Sequence, residues 1–180
     1  RREVDGISYR TPIILSAGFD YNARLTEILP SLGFGGVEIG SVTARPCVGN
    51  SRPTLTRHPR SKSIVVYKGL RNDGVDEIIS RLKSKKIITD FVIGVSIART
   101  NDEMSASLEA GIEDYATSFK KLNDAEIGDY YTLNISCPNA FGGETFANPE
   151  RLKKLLSRIR EIPCQKPVYV KLPINFSWDE

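Results

Sequence analysis

The sequence predicts an α/β fold of consecutive βα units, and three observations carry that reading. Strand-like and helix-like stretches alternate along the chain. The strand-like runs are continuously apolar, as in a parallel sheet covered by helices. No glycine-rich fingerprint follows the first strand, where a dinucleotide-binding sheet would carry one.

Taken in order, Ile13-Ile14-Leu15-Ser16-Ala17 reads as a buried strand stopped by Gly18, and residues 23–32 carry apolar side chains at helical spacing before Gly33. Gly33-Phe34-Gly35-Gly36 precedes a strand and reads as a helix C-cap and turn. Val37-Glu38-Ile39-Gly40-Ser41-Val42 is the second strand. The Pro-, Arg- and Ser-rich residues 43–63 read as a loop, and loops of that length are usually functional or mobile. Residues 76–83 place Ile78, Ile79 and Leu82 on one face of a short helix, and Phe91-Val92-Ile93-Gly94-Val95-Ser96-Ile97 is a third strand. A longer helix is expected over 105–122 and a fourth strand over 131–136. A helix over 149–162 turns Leu152, Leu155, Leu156 and Ile159 inward, and a fifth strand covers 167–172.

Composition narrows the function classes. With 40% hydrophobic and 26% charged residues, the chain has an ordinary globular composition, enough for one core and one domain. The net charge of +3 is small, and the densest basic cluster, Lys83-Ser84-Lys85-Lys86, reads as a solvated helix end, so a nucleic-acid partner is not expected. Cys47, Cys137 and Cys164 are spaced too widely for a metal knuckle or a disulfide framework, which fits a reducing, cytoplasmic setting. A single His58, beside Pro59 in a polar stretch, excludes multi-histidine metal sites; no metal is expected. No run is long and apolar enough to span a bilayer, and no signal-peptide pattern opens the chain.

The richest motif is Asn134-Ile135-Ser136-Cys137-Pro138-Asn139, followed by Phe141-Gly142-Gly143. Pro138 cannot donate to a ladder, so the strand should stop there and leave Cys137 on a strand-to-loop corner. A thiol at such a corner can act as base or nucleophile, and the flanking amides offer donors and acceptors to a polar heterocycle. Polar residues recur at the other predicted strand ends: Ser16, Ser41, Ser96 and Lys171. Barrel enzymes build active sites on that face, one or two residues per strand. The expectation is therefore a (β/α)8 TIM barrel, of which residues 1–180 form a single domain: its N-terminal five βα units.

These segments, in this order, resemble the dihydroorotate dehydrogenases, FMN-dependent barrel enzymes of pyrimidine biosynthesis. The likeness runs through Pro12-Ile13-Ile14-Leu15-Ser16-Ala17-Gly18-Phe19-Asp20, then residues 36–46, Gly49-Asn50, Arg52-Pro53, Asn72, Gly74-Val75-Asp76, residues 134–139 and Pro167-Val168-Tyr169-Val170-Lys171. It implies FMN as cofactor and oxidation of dihydroorotate to orotate. Ala17 and Gly18 would let the backbone approach the isoalloxazine ring, Ser41, Ser96 and Asn134 would hydrogen-bond the flavin or its ribityl chain, and Lys171 would stand beside the flavin. Asn134 and Asn139, with Gly69 and Leu70, would hold the pyrimidine. Cys137 would take the C5 proton while hydride leaves C6. The flavin phosphate site would lie in later strands.

Glu38-Ile39-Gly40 with its Arg45-Pro46 tail resembles the membrane-associated, quinone-reducing class, whereas Cys at 137 is similar to the soluble class. Quinone, fumarate or an NAD-linked partner is thus the implied acceptor. A homodimer is compatible, as is a location peripheral to the inner face of the cell membrane, given an N-terminal extension. Two positions depart from the family: Tyr21 stands where it has a lysine, and Val66 where it has an asparagine, leaving Lys68 or Arg71 to supply the missing cation. A related flavin-dependent dihydropyrimidine or dihydrouridine oxidoreductase, and an inactive homologue, are the alternative readings.

Overall fold

A computed structural model describes residues 1–88, 90–137 and 146–173. In chain order the elements are β1 (Arg2–Val4), β2 (Ile7–Tyr9), β3 (Ile14–Leu15), β4 (Gly36–Val42), β5 (Leu55–His58), β6 (Ser63–Val66), α1 (Val75–Lys83), β7 (Val92–Ile97), α2 (Leu108–Asp124), β8 (Tyr130–Asn134), α3 (Pro149–Arg160) and β9 (Val168–Lys171). Strands β3, β4, β7, β8 and β9 form one five-stranded sheet, and every pair in it is parallel. Spatial order equals chain order, as in a barrel; a doubly wound sheet would reverse direction at a switch point.

The strand sequences explain the layering. Val37 and Ile39 of β4, Val95 and Ile97 of β7, and Tyr131 and Leu133 of β8 join Ile78 and Leu82 of α1, Tyr115, Phe119 and Leu122 of α2, and Leu155 and Ile159 of α3 in one buried cluster. All three helices therefore cover the same face of the sheet. On the other face Val92 and Tyr130 pack with Tyr9, flanked by Ile7 and Tyr169. The β1–β2 hairpin thus sits against the N-terminal end of the strands. Above this apolar layer the inward face turns polar: Glu38 accepts from Thr132 Oγ1 at 3.0 Å and Tyr130 Oη at 3.3 Å. Burial, and then the Glu38 charge, push the Tyr130 phenol up, so it stays a donor.

The helices begin and end for local reasons. Ser107 Oγ accepts from Ala110 N at the start of α2, and Asn148 Oδ1 accepts from Glu150 N and Arg151 N at the start of α3, whose first residue is Pro149.

Three expectations need correction. The first strand is not buried: β3 is only Ile14–Leu15, and Ile13 and Ile14 are exposed. Residues 23–32 do not form an α-helix; only a short 3₁₀ turn, Leu29–Leu32, is present, closing as expected at Gly33. Pro30 has no N–H to give an α-helical bond, Ala23 stands at φ +55°, and the buried Asp20 carboxylate takes the Arg24 and Leu25 amides at 2.7 and 2.8 Å. The stretch 43–63 is not all loop: antiparallel β5 and β6 form an exposed hairpin, with Leu55 opposite Val66. His58 is exposed at the end of β5.

The loops after β4 and β7 are joined by charge. Arg45 reaches Asp102 with Nε and Nη2 and, through Nη1, Asp114 of α2 at 3.1 Å. Burial works to raise the Asp102 pKa, but hydrogen bonds from Arg45 and Ser105 N, with the Arg45 charge, hold it below the usual carboxylate range. A folded value below the unfolded one means that the stabilisation is complete above the unfolded pKa of about 3.9 and is lost as pH falls through the folded value. Urea midpoints followed downward from about pH 6 should therefore fall less steeply in Asp102→Asn than in wild type; parallel curves would remove Asp102 from the acid response.

Candidate active site

Four strand ends converge on the C-terminal face. Ser41, Ser96 and Asn134 come from β4, β7 and β8, and Lys171 from β9, in register with Asn134. Ser41 Oγ and Ser96 Oγ are 2.8 Å apart, and Asn134 Nδ2 donates to Ser41 Oγ at 2.8 Å. These three side chains are 7%, 0% and 7% exposed, so the row is held rigidly in a low-dielectric setting. Lys171 is exposed at its end.

Ser41 reaches this row because β4 is irregular. Alternation from Glu38 would turn Ser41 toward the helices and Val42 inward. The register with β7 slips between Ile39 and Val42, one extra residue being taken up on β4. After the slip, Ser41 faces Ser96, and Val42 enters the helix-side core. Gly40 makes this geometry accessible. Its φ is +103°, and a Cβ there would stand 2.6 Å from Ser96 O.

Gly18 is held against this bulge by its N–H to Gly40 O at 2.8 Å. It too has a left-handed φ, +97°, and nothing lies within 4 Å of where its Cβ would be. Ala17 is half-buried beside it. Together they present bare backbone to open space next to the polar row.

Asn134 also shapes the turn after β8. Its Oδ1 accepts from Ser136 N at 3.1 Å and Ser136 Oγ at 2.8 Å, an Asx turn that aims the chain toward the half-buried Cys137. Tyr115 Oη donates to Asn134 O at 2.8 Å, and the Tyr115 ring meets Phe146 edge-on at 5.4 Å. Residues on both sides of the Cys137 loop are thus fastened to the same tyrosine of α2. Asn139, Gly142 and Gly143 lie outside the described residues.

Of the other expected substrate residues, Gly69 is buried, and its carbonyl accepts from Asn101 Nδ2 at 3.0 Å and Cys47 Sγ at 3.4 Å. Leu70 is half-buried at φ +60°, its carbonyl accepting from Asn72 Nδ2. They sit in a buttressed loop, not in the polar row. Val66 is exposed on the hairpin. Ser136, which sequence reasoning passed over, was marked by its place two residues after an Asn at a strand end, the Asx-turn spacing. Cys47 and Cys164 take no part in the row, and none of the three cysteines is in a disulfide. No metal-binding cluster of His, Cys, Asp and Glu occurs among the described residues.

Comparison with known proteins gives this arrangement its relatives. The family model described as dihydroorotate dehydrogenase matches residues 1–180. The dihydroorotate dehydrogenase (quinone) of Haloarcula marismortui is 39% identical over 170 residues, covering 94% of this chain and 46% of that protein. The enzyme of the same name from Aliivibrio fischeri is 38% identical over 159 residues, covering 88% and 45%. The chain thus spans about half the length of the curated relatives it matches. Among solved structures, the ligand-free DHODH of Eimeria tenella superposes with a TM-score of 0.84 at 24% identity, covering 99% of this chain and 55% of that one, a likeness of fold. With a family match over its whole length and relatives at this identity, the chain belongs to the dihydroorotate dehydrogenase family.

Proposed function

We propose that this protein oxidises dihydroorotate to orotate with FMN as the hydride acceptor and a quinone as the final oxidant. The observation that supports it most is the buried Ser41–Ser96–Asn134 row beside the bare, open backbone of Gly18. These residues suit a flavin: a flat ring can lie against Ala17 and Gly18, and the row offers fixed donors and acceptors to its polar edge or ribityl chain. Lys171 would place a positive charge at the far end of the row. FMN, when bound, supplies the two-electron acceptor. Cys137 Sγ, as thiolate, would take the substrate's C5 proton, and Asn134 and Asn139 would hold the pyrimidine. The names of the relatives support a quinone as acceptor. No helix among the described residues is long and apolar enough to cross a membrane. A cytoplasmic protein, peripheral to the inner face of the membrane, is the location we propose.

The protein expressed from its whole coding sequence should purify yellow, release FMN on denaturation, and bleach when mixed anaerobically with dihydroorotate. A colourless protein that takes up no added FMN would overturn the proposal. Bleaching only by a different dihydropyrimidine would move the assignment to a related flavin-dependent reductase, the reading that Tyr21 and Val66 favour.

A further inference from the structure

We propose that Lys68, seated on the ring of Tyr21, is the cation that receives the carboxylate of the substrate. The inference rests on the function proposed above and assigns a residue to the one charged group by which orotate differs from a neutral pyrimidine.

Lys68 Nζ donates to Gly18 O at 3.2 Å and lies 5.0 Å from the centroid of the Tyr21 ring. Gly18 N in turn donates to Gly40 O, one residue before Ser41. The ammonium is therefore two hydrogen bonds from the polar row, at its β3–β4 end. Lys171 stands at the opposite end, on β9. The two lysines are separated by the order of the sheet, so Lys68 is the one beside the Gly18 end.

Several features fit Lys68 to an anionic ligand. Its backbone is fixed by Asn50 N donating to Lys68 O at 3.1 Å, and the next residue, Gly69, is buried. The Tyr21 face attracts the ammonium without neutralising it, as a carboxylate would. Among the described residues Nζ has one hydrogen-bond acceptor, Gly18 O, and no carboxylate within ion-pair distance, which leaves donors for a ligand. Arg71, the other nearby cation, lines a cavity of about 380 Å³ whose lining includes Asp20 and Asp73 but neither Lys68 nor the polar row. Arg24, in the same cavity, contacts Asp73 at 3.4 Å. Lys68 is thus the cation joined by hydrogen bonds to the Gly18–Gly40 backbone beside the row.

The test uses the full-length, FMN-loaded protein and reads ligand binding rather than turnover, by perturbation of the flavin spectrum. Orotate and its neutral methyl ester are titrated into wild type, Lys68→Met and Lys68→Arg. Lys68→Met is expected to weaken orotate at least tenfold, to change the ester little, and to keep the wild-type FMN content and melting temperature. Lys68→Arg should restore most of the preference for the acid. Equal weakening of acid and ester, unchanged orotate binding, or loss of FMN from Lys68→Met would each overturn the assignment. Wild-type protein that carries FMN but binds no orotate would instead overturn the proposed function on which the assignment rests.

Discussion

Replacing Cys137 by alanine in the full-length, FMN-loaded protein is expected to slow anaerobic flavin reduction by dihydroorotate about 100-fold or more, the usual worth of a positioned base. The flavin itself should stay bound, because the row that would hold it, Ser41, Ser96 and Asn134, is bonded within itself and to Ser136 without the thiol. Cys137 follows directly on Ser136, the residue that closes the Asx turn. A thiol removes a proton only as thiolate, so the wild-type rate should rise with pH and level off once the thiol is ionised. Cys137→Ser should retain part of the rate, shifted to higher pH, because a hydroxyl is the weaker acid. Stopped-flow reduction across pH in the three proteins makes the comparison, and equal rates would remove Cys137 from the mechanism.

Arg45→Met is expected to have the largest effect on stability, about 3 kcal/mol, because it strands a carboxylate in the interior. Asp114 is 1% exposed on its side chain and takes Thr100 N and Thr100 Oγ1 as well as Arg45. Thr100 lies in the segment after β7 and Arg45 in the segment after β4, so this cluster ties two active-face loops to α2. The figure is the lower end of the usual range for breaking a buried pair, since the Arg45 side chain is 38% exposed and the site is partly hydrated. Pairing Arg45→Met with Asp114→Asn should recover part of the loss. Urea unfolding of the two single variants and the double variant measures it; additive losses would show that the two residues do not act as a pair.

The sequence by itself determined the α/β class, the sequential strands and the strand ends that meet on one face. Continuous apolar runs such as 91–97 can be buried only between two layers, and that requirement is local. It also marked Asn134 and Cys137, since an amide and a thiol beside Pro138 at a strand's end carry their own signal. Only the tertiary structure decided how the row is built. Strict alternation points Ser41 at the helices; the bulge against β7 turns it to Ser96, and the cue was no more than a glycine inside a strand. The helix expected over 23–32 was lost for a similar reason. Apolar spacing records which side chains seek burial, but Pro30 has no N–H to give and Ala23 is held at φ +55°, outside helical geometry. Lys68 and Tyr21 are far apart in the chain, and no periodicity links them. Their stacking exists because Gly18, anchored on Gly40, holds its carbonyl where the lysine can reach it.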